Sequence, residues 1–588
     1  MSSRSLQTSR YSPGNLAPAV LERLLVGRAE LLDELVNKVS RSILTKDKQH
    51  MLLIGPRGTG KTHLMALLHQ RLTTDPALAA ERAKSVIVYL NEEEWGIASF
   101  LDFLLTILLS IDSGHGEIAS QIALVGETFA RDPARARDLA ENALQDAIKG
   151  RTLVLLCENL HDLFEGLGAE GQARWRSLVQ EQRSWCIVAT APSLFADVSR
   201  QTEPFYGFFT IRSLEQLSLD EAIELLRRKA ELEGRRDLAE ALDTPTGRAR
   251  VRAIHHIVGG NHRAYIVLSQ YLTKESLDDL VAPFMNMVDD LTPYFQERMR
   301  SLTSPLQRKL VSYLCKQRRP SAVRDIARLA LVQPQSAAKQ LGELAKSGLV
   351  QKTSRGRESY YELSDPLMRI CIEVRDNRAG YVESFVELLR HWFSSRELES
   401  NHHPLYEEAL ASAEQGKLDV NAVAERLAAL GAIAQSRSLR SLSGSTRQGV
   451  LDILGGLARE NGDTDVQSLL EILDSSLWLE PQQRGPASFA AQVAALNDRL
   501  PRAARGAAIS GSLSGVLRRL IRTRSAASGR AGWADALQKL SSQLPALGAL
   551  LQLFSVGVRY AETRDASVLL ELPLEQRRLL LDETGKTP

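Results

Sequence analysis

Five short apolar runs divide the first 215 residues, and most are followed by a segment in which apolar positions recur every three or four residues. Such runs indicate buried strands, and the 3.6-residue period indicates helices that cover them. The alternation predicts an α/β core, residues 21–215, with a parallel five-stranded sheet. The predicted strands are Met51–Ile54, Lys84–Leu90, Arg151–Asn159, Ser184–Ala191 and Phe208–Ile211.

Polar residues with prolines predict an extended lead-in over residues 1–20, before a helix that runs from about Val26 to Leu44. Inside the core, the period predicts helices at His63–Gln70, Ile97–Ser110, Glu117–Ala130, Ala134–Lys149 and from near Leu160.

The pattern changes after residue 215. Residues 216–298 indicate a small helical lid, which begins with a helix at Leu219–Leu232. Residues 299–378 then predict three helices and a β-hairpin, the order of a winged helix. The helices are Ser304–Lys316, Ala322–Ala330 and Pro334–Ser347, and the hairpin strands are Gly348–Lys352 and Ser359–Leu363.

Residues 379–588 differ again, because Leu/Ala-rich periodic segments alternate with short turns. This spacing predicts an all-α domain of helical hairpins, for which an α-solenoid is one arrangement. No clean 34-residue repeat supports a tetratricopeptide array. The predicted helices are Tyr381–Phe393, Val420–Leu430, Thr446–Glu460, Ser468–Trp478, Ser488–Leu500, Trp533–Leu540, Leu547–Thr563 and Leu574–Glu583.

Composition narrows the class of protein. A chain of 588 residues is too long for one core. The four cysteines are far apart and include no C-x-x-C, which predicts a reduced, cytoplasmic protein without a zinc site. The longest apolar run, Phe100–Ile111, is too short to span a bilayer, so no membrane partner is expected.

The loop after the first strand carries the clearest chemistry. It reads G-P-R-G-T-G-K-T and fits G-x-x-x-x-G-K-[ST] between a strand and a helix, which predicts a phosphate-binding loop for ATP. Lys61 can reach the β- and γ-phosphates, and Thr62 can offer its hydroxyl to Mg²⁺. The alternative, a Gly-rich turn between a strand and a helix, requires neither Lys61 nor Thr62. The predicted nucleotide-binding residues are Gly55, Pro56, Arg57, Gly58, Thr59, Gly60, Lys61, Thr62 and His63.

The third strand ends at a carboxylate, Glu158, which can order Mg²⁺ or orient the attacking water. The preceding Cys157 is a poor ligand for a hard cation. Three alternatives follow: Glu158 serves both roles, Mg²⁺ is held through water and Thr62, or hydrolysis is slow. Glu158 is therefore the predicted catalytic residue and, with Thr62, the predicted metal ligand. Asp162 is a second candidate, and Glu158 as a cap on the helix near Leu160 is the non-catalytic interpretation.

Two further residues are positioned to sense a terminal phosphate. Thr190 ends the fourth strand, although strands often end in threonine. Gly259-Gly260-Asn261 indicates a helix end and a turn, after which Arg263 opens the next helix of the lid. The alternative for Arg263 is a solvated arginine in an interhelical turn.

The order of these motifs resembles that of AAA+/STAND-type ATPases, and the origin-recognition and prokaryotic "archaeal ATPase" branches are the most similar. The resemblance starts at Val26-Gly27-Arg28, covers about residues 20–375 and implies a P-loop NTPase core, a lid and a winged helix. It implies that Thr190 is the sensor 1 residue. Two positions depart from the pattern: His262 stands where proline is frequent, and Cys157 where an Asp is usual.

Phosphoryl transfer relies on charge stabilisation, so an arginine from a neighbouring copy in a homo-oligomer is expected. Arg200, which precedes the fifth strand, is the predicted residue.

Charge adds an argument for duplex DNA. The chain has a net charge of only +2, yet residues 301–360 contain 12 Lys or Arg against 3 Asp or Glu. A basic patch on a helix-turn-helix scaffold is typical of nucleic-acid binding. The alternative is that the winged helix serves only for packing. The predicted DNA contacts are Lys339, Lys346, Lys352, Arg355 and Arg357.

The leading hypothesis is an ATP-hydrolysing switch whose nucleotide state, ATP or ADP, controls assembly and the binding of DNA or a protein partner on the helical C-terminus. The alternatives are a hydrolysis-poor nucleotide-binding scaffold and a STAND-like signalling or defence protein without direct DNA binding.

Overall fold

The computed structural model describes residues 16–91, 96–111, 116–274, 277, 280–302, 304–317, 319–355, 358–375, 385–386, 389, 532–543 and 548–583. The chain forms two units, Met1–Glu233 with Gly260–Ile266 and Gly234–Gly259 with Val267–Pro588. The first unit extends past the predicted core boundary at residue 215, and the other domain limits stay predictions.

The first unit contains the predicted sheet. Its strands are β1 (Met51–Ile54), β2 (Ser85–Leu90), β3 (Thr152–Cys157), β4 (Trp185–Ala191) and β5 (Thr210–Ser213). They are ordered β2-β3-β4-β1-β5, and every neighbouring pair is parallel. The fold is that of a P-loop NTPase core. All carboxyl ends meet at one edge, where such sheets bind ligands.

Helices cover both faces of the sheet. Every residue of β3 is buried, and its side chains alternate between the two faces: Leu153, Leu155 and Cys157 join one apolar core, and Val154 and Leu156 join the other. The helices of this unit are α1 (Pro18–Arg23), α2 (Ala29–Leu44), α3 (Lys61–Thr74), α4 (Ala79–Ala83), α5 (Phe100–Ile111), α6 (Gly116–Phe129), α7 (Pro133–Ile148), α8 (Leu160–Gln182), α9 (Ala196–Ser199) and α10 (Leu219–Leu232).

Several boundaries differ from the predictions by one to a few residues, and two of these differences have a clear physical reason. The lead-in is not extended to residue 20, because Pro18 opens α1, a first-turn position that proline tolerates. The fifth strand begins at Thr210 instead of Phe208. The ring of Phe208 stacks on His50, with centroids 4.1 Å apart, and packs beside the core. Apolar character there reflects packing, not strand pairing.

The second unit contains the predicted three helices and hairpin. Its sheet has the antiparallel order β6-β8-β7, from Ser321–Ala322, Glu358–Leu363 and Val350–Arg355. The assignment as a winged helix stays a prediction. The helices are α11 (Arg236–Asp243), α12 (Pro245–Val258), α13 (His262–Leu268, which begins in the first unit), α14 (Val281–Arg300), α15 (Pro305–Lys316), α16 (Val323–Leu329), α17 (Pro334–Lys346), α18 (Pro366–Arg375), α19 (Trp533–Gln543), α20 (Gly548–Thr563) and α21 (Leu574–Glu583).

The last three helices confirm the predictions for Trp533–Leu540, Leu547–Thr563 and Leu574–Glu583. The helix predicted at Tyr381–Phe393 lies almost wholly outside the described residues. Four others lie entirely outside them: Val420–Leu430, Thr446–Glu460, Ser468–Trp478 and Ser488–Leu500. Within the described parts of the chain, no helix is both long enough and apolar enough to cross a bilayer.

Candidate nucleotide-binding site

The loop between β1 and α3 has a backbone that only glycine adopts easily. Gly58 and Gly60 both have φ of +85°. A Cβ on Gly58 would lie 2.5 Å from Asn261 Oδ1, and one on Gly60 would lie 2.8 Å from His262 Nδ1. Conformation and crowding therefore both exclude a side chain at these positions.

Lys61 is buried, and its ammonium is held against the loop. Its Nζ donates to the carbonyl oxygens of Gly55 and Pro56, at 2.6 and 3.0 Å. Thr59 Oγ1 also donates to Pro56 O, at 2.8 Å. A positive charge is thus fixed at the amino end of α3, the end of a helix that attracts anions.

Thr62 and Glu158 meet, as a shared metal site requires. Thr62 Oγ1 donates to Glu158 Oε2 at 2.5 Å. The other carboxylate oxygen, Oε1, accepts a hydrogen bond from the Tyr89 hydroxyl. Glu158 is only 6% exposed, so these two hydroxyls are important partners for a carboxylate that has little contact with water.

Cys157 does not take part in this cluster. Its side chain belongs to the apolar core on one face of the sheet, and burial raises the pKa of its thiol far above the ordinary range. A neutral, buried thiol is no Mg²⁺ ligand. Glu158, the predicted metal ligand, is the residue that contacts the P-loop threonine, and its role in ordering a metal stays a prediction.

Thr190 lies at the same edge. It is 1% exposed, and its Oγ1 accepts a hydrogen bond from the Asn159 backbone N–H at 3.2 Å. The phosphate loop begins directly beside the end of β4, because the Gly55 N–H donates to Ala191 O at 3.2 Å. The hydroxyl proton of Thr190 is thereby left to donate elsewhere.

His161 is a residue that the sequence analysis missed. It is the second residue of α8, which follows β3, and its Nε2 lies 3.2 Å from Asp162 Oδ1. Burial lowers the pKa of the ring, Asp162 raises it, and the charges of Arg57 and Lys61 lower it further. A neutral imidazole therefore lies within electrostatic reach of the phosphate loop. The only sequence signal was its place just after the strand that ends at Glu158.

Asn261 and the start of α13 pack against the phosphate loop. Asn261 Oδ1 accepts from the Ala264 N–H at 3.2 Å and so caps α13. The backbone N–H of Arg263 donates to Gly58 O at 3.3 Å. Arg263 is the second residue of α13, one position later than the predicted opening, and it stands beside the loop; its contact with a γ-phosphate stays a prediction.

Arg28 links this region to the N-terminus. Its guanidinium donates to the carbonyl oxygens of Thr59 and Glu215, the latter at 2.9 Å, and burial lowers its pKa against the opposing effect of Glu221. Arg28 belongs to the segment Val26-Gly27-Arg28, where the family resemblance starts, but the sequence alone predicts no role for it.

Two histidines complete the loop's surroundings and are held neutral. His63 Nε2 donates to Leu21 O at 2.8 Å, and burial lowers the pKa of its ring. The His262 ring lies 6.0 Å from that of His63. Burial first, then repulsion by the Arg28 guanidinium and by the His63 ring whenever that ring is protonated, lower the pKa of His262 to about 3. His63 therefore ties α3 to α1, and its binding to nucleotide stays a prediction.

Residues 24–190 match the family model described as AAA ATPase domain. This part of the chain is a AAA ATPase domain. No curated protein matches the chain.

Solved structures with a similar chain include the Walker-type ATPase of Pyrococcus abyssi, at 14% identity and a TM-score of 0.41, over 59% of this chain and 96% of that one. The Aeropyrum pernix ORC1 protein in complex with DNA has 16% identity and a TM-score of 0.38, over 64% and 99%. A STAND protein with a tetratricopeptide repeat sensor from Pyrococcus horikoshii has 12% identity and a TM-score of 0.24, over 95% of this chain and 84% of that one. Likeness at this level does not say what this chain binds.

The remaining predicted site residues lie outside the hydrogen-bonded cluster around the phosphate loop. In the AAA domain's unit, Arg200 is exposed directly after α9, and its backbone N–H donates to Ala196 O at 2.9 Å. In the second unit, Lys339 and Lys346 are exposed on α17, and Lys352 is exposed on β7. The backbone of Arg355 ends β7, while Arg357 lies outside the described residues.

Proposed function

We propose that this protein is a molecular switch that binds and hydrolyses ATP. The observation that carries the proposal is the convergence at the carboxyl edge of the AAA sheet, where a buried Lys61 lies at the phosphate loop and the Thr62 hydroxyl contacts Glu158. Nucleotide binding follows from the AAA domain; hydrolysis is the part that needs a test.

The side chains present suit Mg²⁺ as the cofactor. Thr62 and Glu158 offer a hydroxyl and a carboxylate, the oxygen donors that Mg²⁺ prefers. Among the described residues no group of three or more His, Cys, Asp or Glu could hold a metal. A site of two protein oxygens matches an ion that keeps waters and phosphate oxygens as its other ligands. When bound, the ion would neutralise phosphate charge.

The residues of the loop would share the remaining work. Lys61 would exchange the carbonyls of Gly55 and Pro56 for phosphate oxygens, a gain because a full negative charge is the stronger acceptor. A carboxylate has about four lone-pair sites on its two oxygens, so Glu158 can also accept a proton from the attacking water. Thr190 would donate its hydroxyl proton to a phosphate oxygen or that water. Arg263 would read the γ-phosphate from the start of α13.

We extend the proposal to duplex DNA. Exposed Lys339, Lys346 and Lys352 stand on a helix and a strand whose order suits a winged helix, within a segment of strong positive charge. These lysines would contact phosphates and so position the protein without reading sequence. The nucleotide state would control this binding, and homo-oligomers with Arg200 reaching a neighbour's site would form in the cytoplasm.

A second candidate function is a hydrolysis-poor switch, which recruits a protein partner through its C-terminal helices or acts in signalling. It is favoured by one observation: Cys157 is a core residue, and among the described residues Glu158 is the carboxylate that accepts from the Thr62 hydroxyl. One group would then have to order the metal shell and activate water.

Phosphate release with and without duplex DNA tests the proposal. Lys61→Ala should abolish both tight ATP binding and release, because it removes the charge at the loop, whereas the exposed Lys84→Ala should change neither. ATP binding by Lys61→Ala equal to the parent would refute the site. Bound ATP without release would favour the second candidate, and size-exclusion chromatography with a non-hydrolysable analogue would then report assembly.

A further inference from the structure

Tyr89 makes a contact at the site that phosphate-loop chemistry alone does not require. It is the penultimate residue of β2, is paired in register with Leu156, and donates its hydroxyl proton to Glu158 Oε1. Its ring lies 5.2 Å from that of His69 on α3, centroid to centroid. The phenol is therefore held between the Glu158 carboxylate and the helix that begins with Lys61.

The three side chains form a chain of hydrogen bonds, Tyr89 to Glu158 and Thr62 to Glu158. Each oxygen of the Glu158 carboxylate accepts a hydrogen bond from one hydroxyl. The carboxylate therefore cannot rotate without breaking one of these two hydrogen bonds. A hydroxyl carries one proton and two lone pairs. Because the Thr62 proton is committed to Glu158, its lone pairs point away from the carboxylate and are available to a cation.

The neutral character of the phenol also matters. An arginine or lysine at position 89 would fix the carboxylate equally well but would cancel its charge and weaken its attraction for a cation. A phenol orients Glu158 and leaves its negative charge intact. Partners of this kind, one step removed from the metal, set ligand direction and metal affinity.

We propose that Tyr89 is a positioning residue for Mg²⁺-nucleotide, which acts by locking Glu158 so that Thr62 presents its lone pairs to the ion. The inference rests on the proposed ATP site and adds a specific determinant of its dependence on Mg²⁺.

The test is binding of a fluorescent ATP analogue over a range of Mg²⁺ concentrations. Tyr89→Phe keeps the ring beside His69 and removes only the hydroxyl. The Mg²⁺ concentration for half-maximal binding should rise about tenfold or more, while binding in the presence of a chelator stays unchanged. Tyr271→Phe is the matched control, because Tyr271 also donates its hydroxyl to a carboxylate, Asp290 of the second unit.

A double variant isolates the route through Glu158. An amide at this position accepts through one oxygen only, so Glu158→Gln should already lose the locked arrangement. Adding Tyr89→Phe to Glu158→Gln should then change the Mg²⁺ midpoint by less than twofold. If the shifts in Mg²⁺ midpoint caused by Glu158→Gln and by Tyr89→Phe add fully in the double variant, the proposal is overturned.

The outcomes separate this inference from the proposed function. If the parent protein binds no analogue at any Mg²⁺ concentration, the ATP site itself is wrong. If the parent binds and Tyr89→Phe has the same Mg²⁺ midpoint, the positioning role is wrong. Equal loss of binding with Mg²⁺ and with chelator would show a merely structural role, and would also overturn it.

Discussion

Two adjacent residues, the last of β3 and the one that follows it, have unrelated environments. Cys157 packs into the apolar core, and Glu158 contacts Thr62 and Tyr89 at the edge of the sheet. Successive side chains of an extended chain point to opposite faces, so one step past the end of β3 separates core from site. At the residue scale, the distinction between packing and chemistry depends on this alternation.

The glycine at position 60 yields a test at the same scale. Gly60→Ala should lower ATP affinity at least tenfold, because Cβ would stand 2.8 Å from His262 Nδ1 in a backbone of φ +85°. Gly150→Ala is the control: its φ is +75°, but nothing lies within 4 Å of the added Cβ. It should cost about 1 kcal/mol of stability and leave ATP affinity unchanged. Equal affinities for the two variants would contradict this account.

At the scale of elements, α21 is fastened into the second unit by ion pairs far from it in sequence. Glu575 pairs with Arg369 of α18, at 1% and 6% side-chain exposure, and Arg577 pairs with Glu362 of β8. The backbone oxygen of Glu575 also accepts from His256 Nε2 at 2.6 Å. One short helix thus joins α12, α18 and the hairpin.

Removing one partner of a buried pair should loosen this part of the fold. Glu575→Ala leaves the Arg369 guanidinium buried without its carboxylate, which costs about 3–5 kcal/mol. Hydrogen exchange should rise in peptides over residues 366–375 and 574–583. Glu297→Ala, which removes a pair with Arg300 at 70% and 74% exposure, should change exchange little. Similar exchange in the two variants would contradict the role assigned to α21.

At the scale of the whole molecule, charge is unevenly distributed. Residues 301–360 are strongly basic although the chain is nearly neutral, so the remainder carries a net negative charge. Exposed Lys339 and Lys346 lie on α17 within that segment. A field of this kind attracts a polyanion and is weakened by salt.

DNA binding should follow that distribution. Affinity for duplex DNA should fall steeply with salt, and the double variant Lys339→Ala/Lys346→Ala should reduce the slope of log K against log salt by about 2. The double variant Lys46→Ala/Lys84→Ala removes equal charge from exposed positions of the first unit and should leave the slope unchanged. Fluorescence anisotropy with unrelated duplexes measures both. Equal slopes for the two double variants would remove the predicted interface.

Periodicity and one motif were enough to determine the core elements and the phosphate loop, because strand and helix periods and the G-x-x-x-x-G-K-[ST] spacing are local properties. The limits of β5 were missed, since Phe208 is apolar for packing with His50 and not for pairing. Strand order was also beyond the sequence, because β1 pairs with β4 and β5 through contacts between distant segments.

The sequence by itself therefore determined an α/β core with a loop suited to ATP, and it named Lys61, Thr62 and Glu158. Only the tertiary structure decided that Glu158, not position 157, contacts Thr62, and that Tyr89 and Arg28 contact the site. The physical reason is distance along the chain. Hydrogen bonds that join residues 62, 89 and 158 form only when parallel strands bring their carboxyl ends to one edge. No local sequence pattern predicts which strand ends become neighbours.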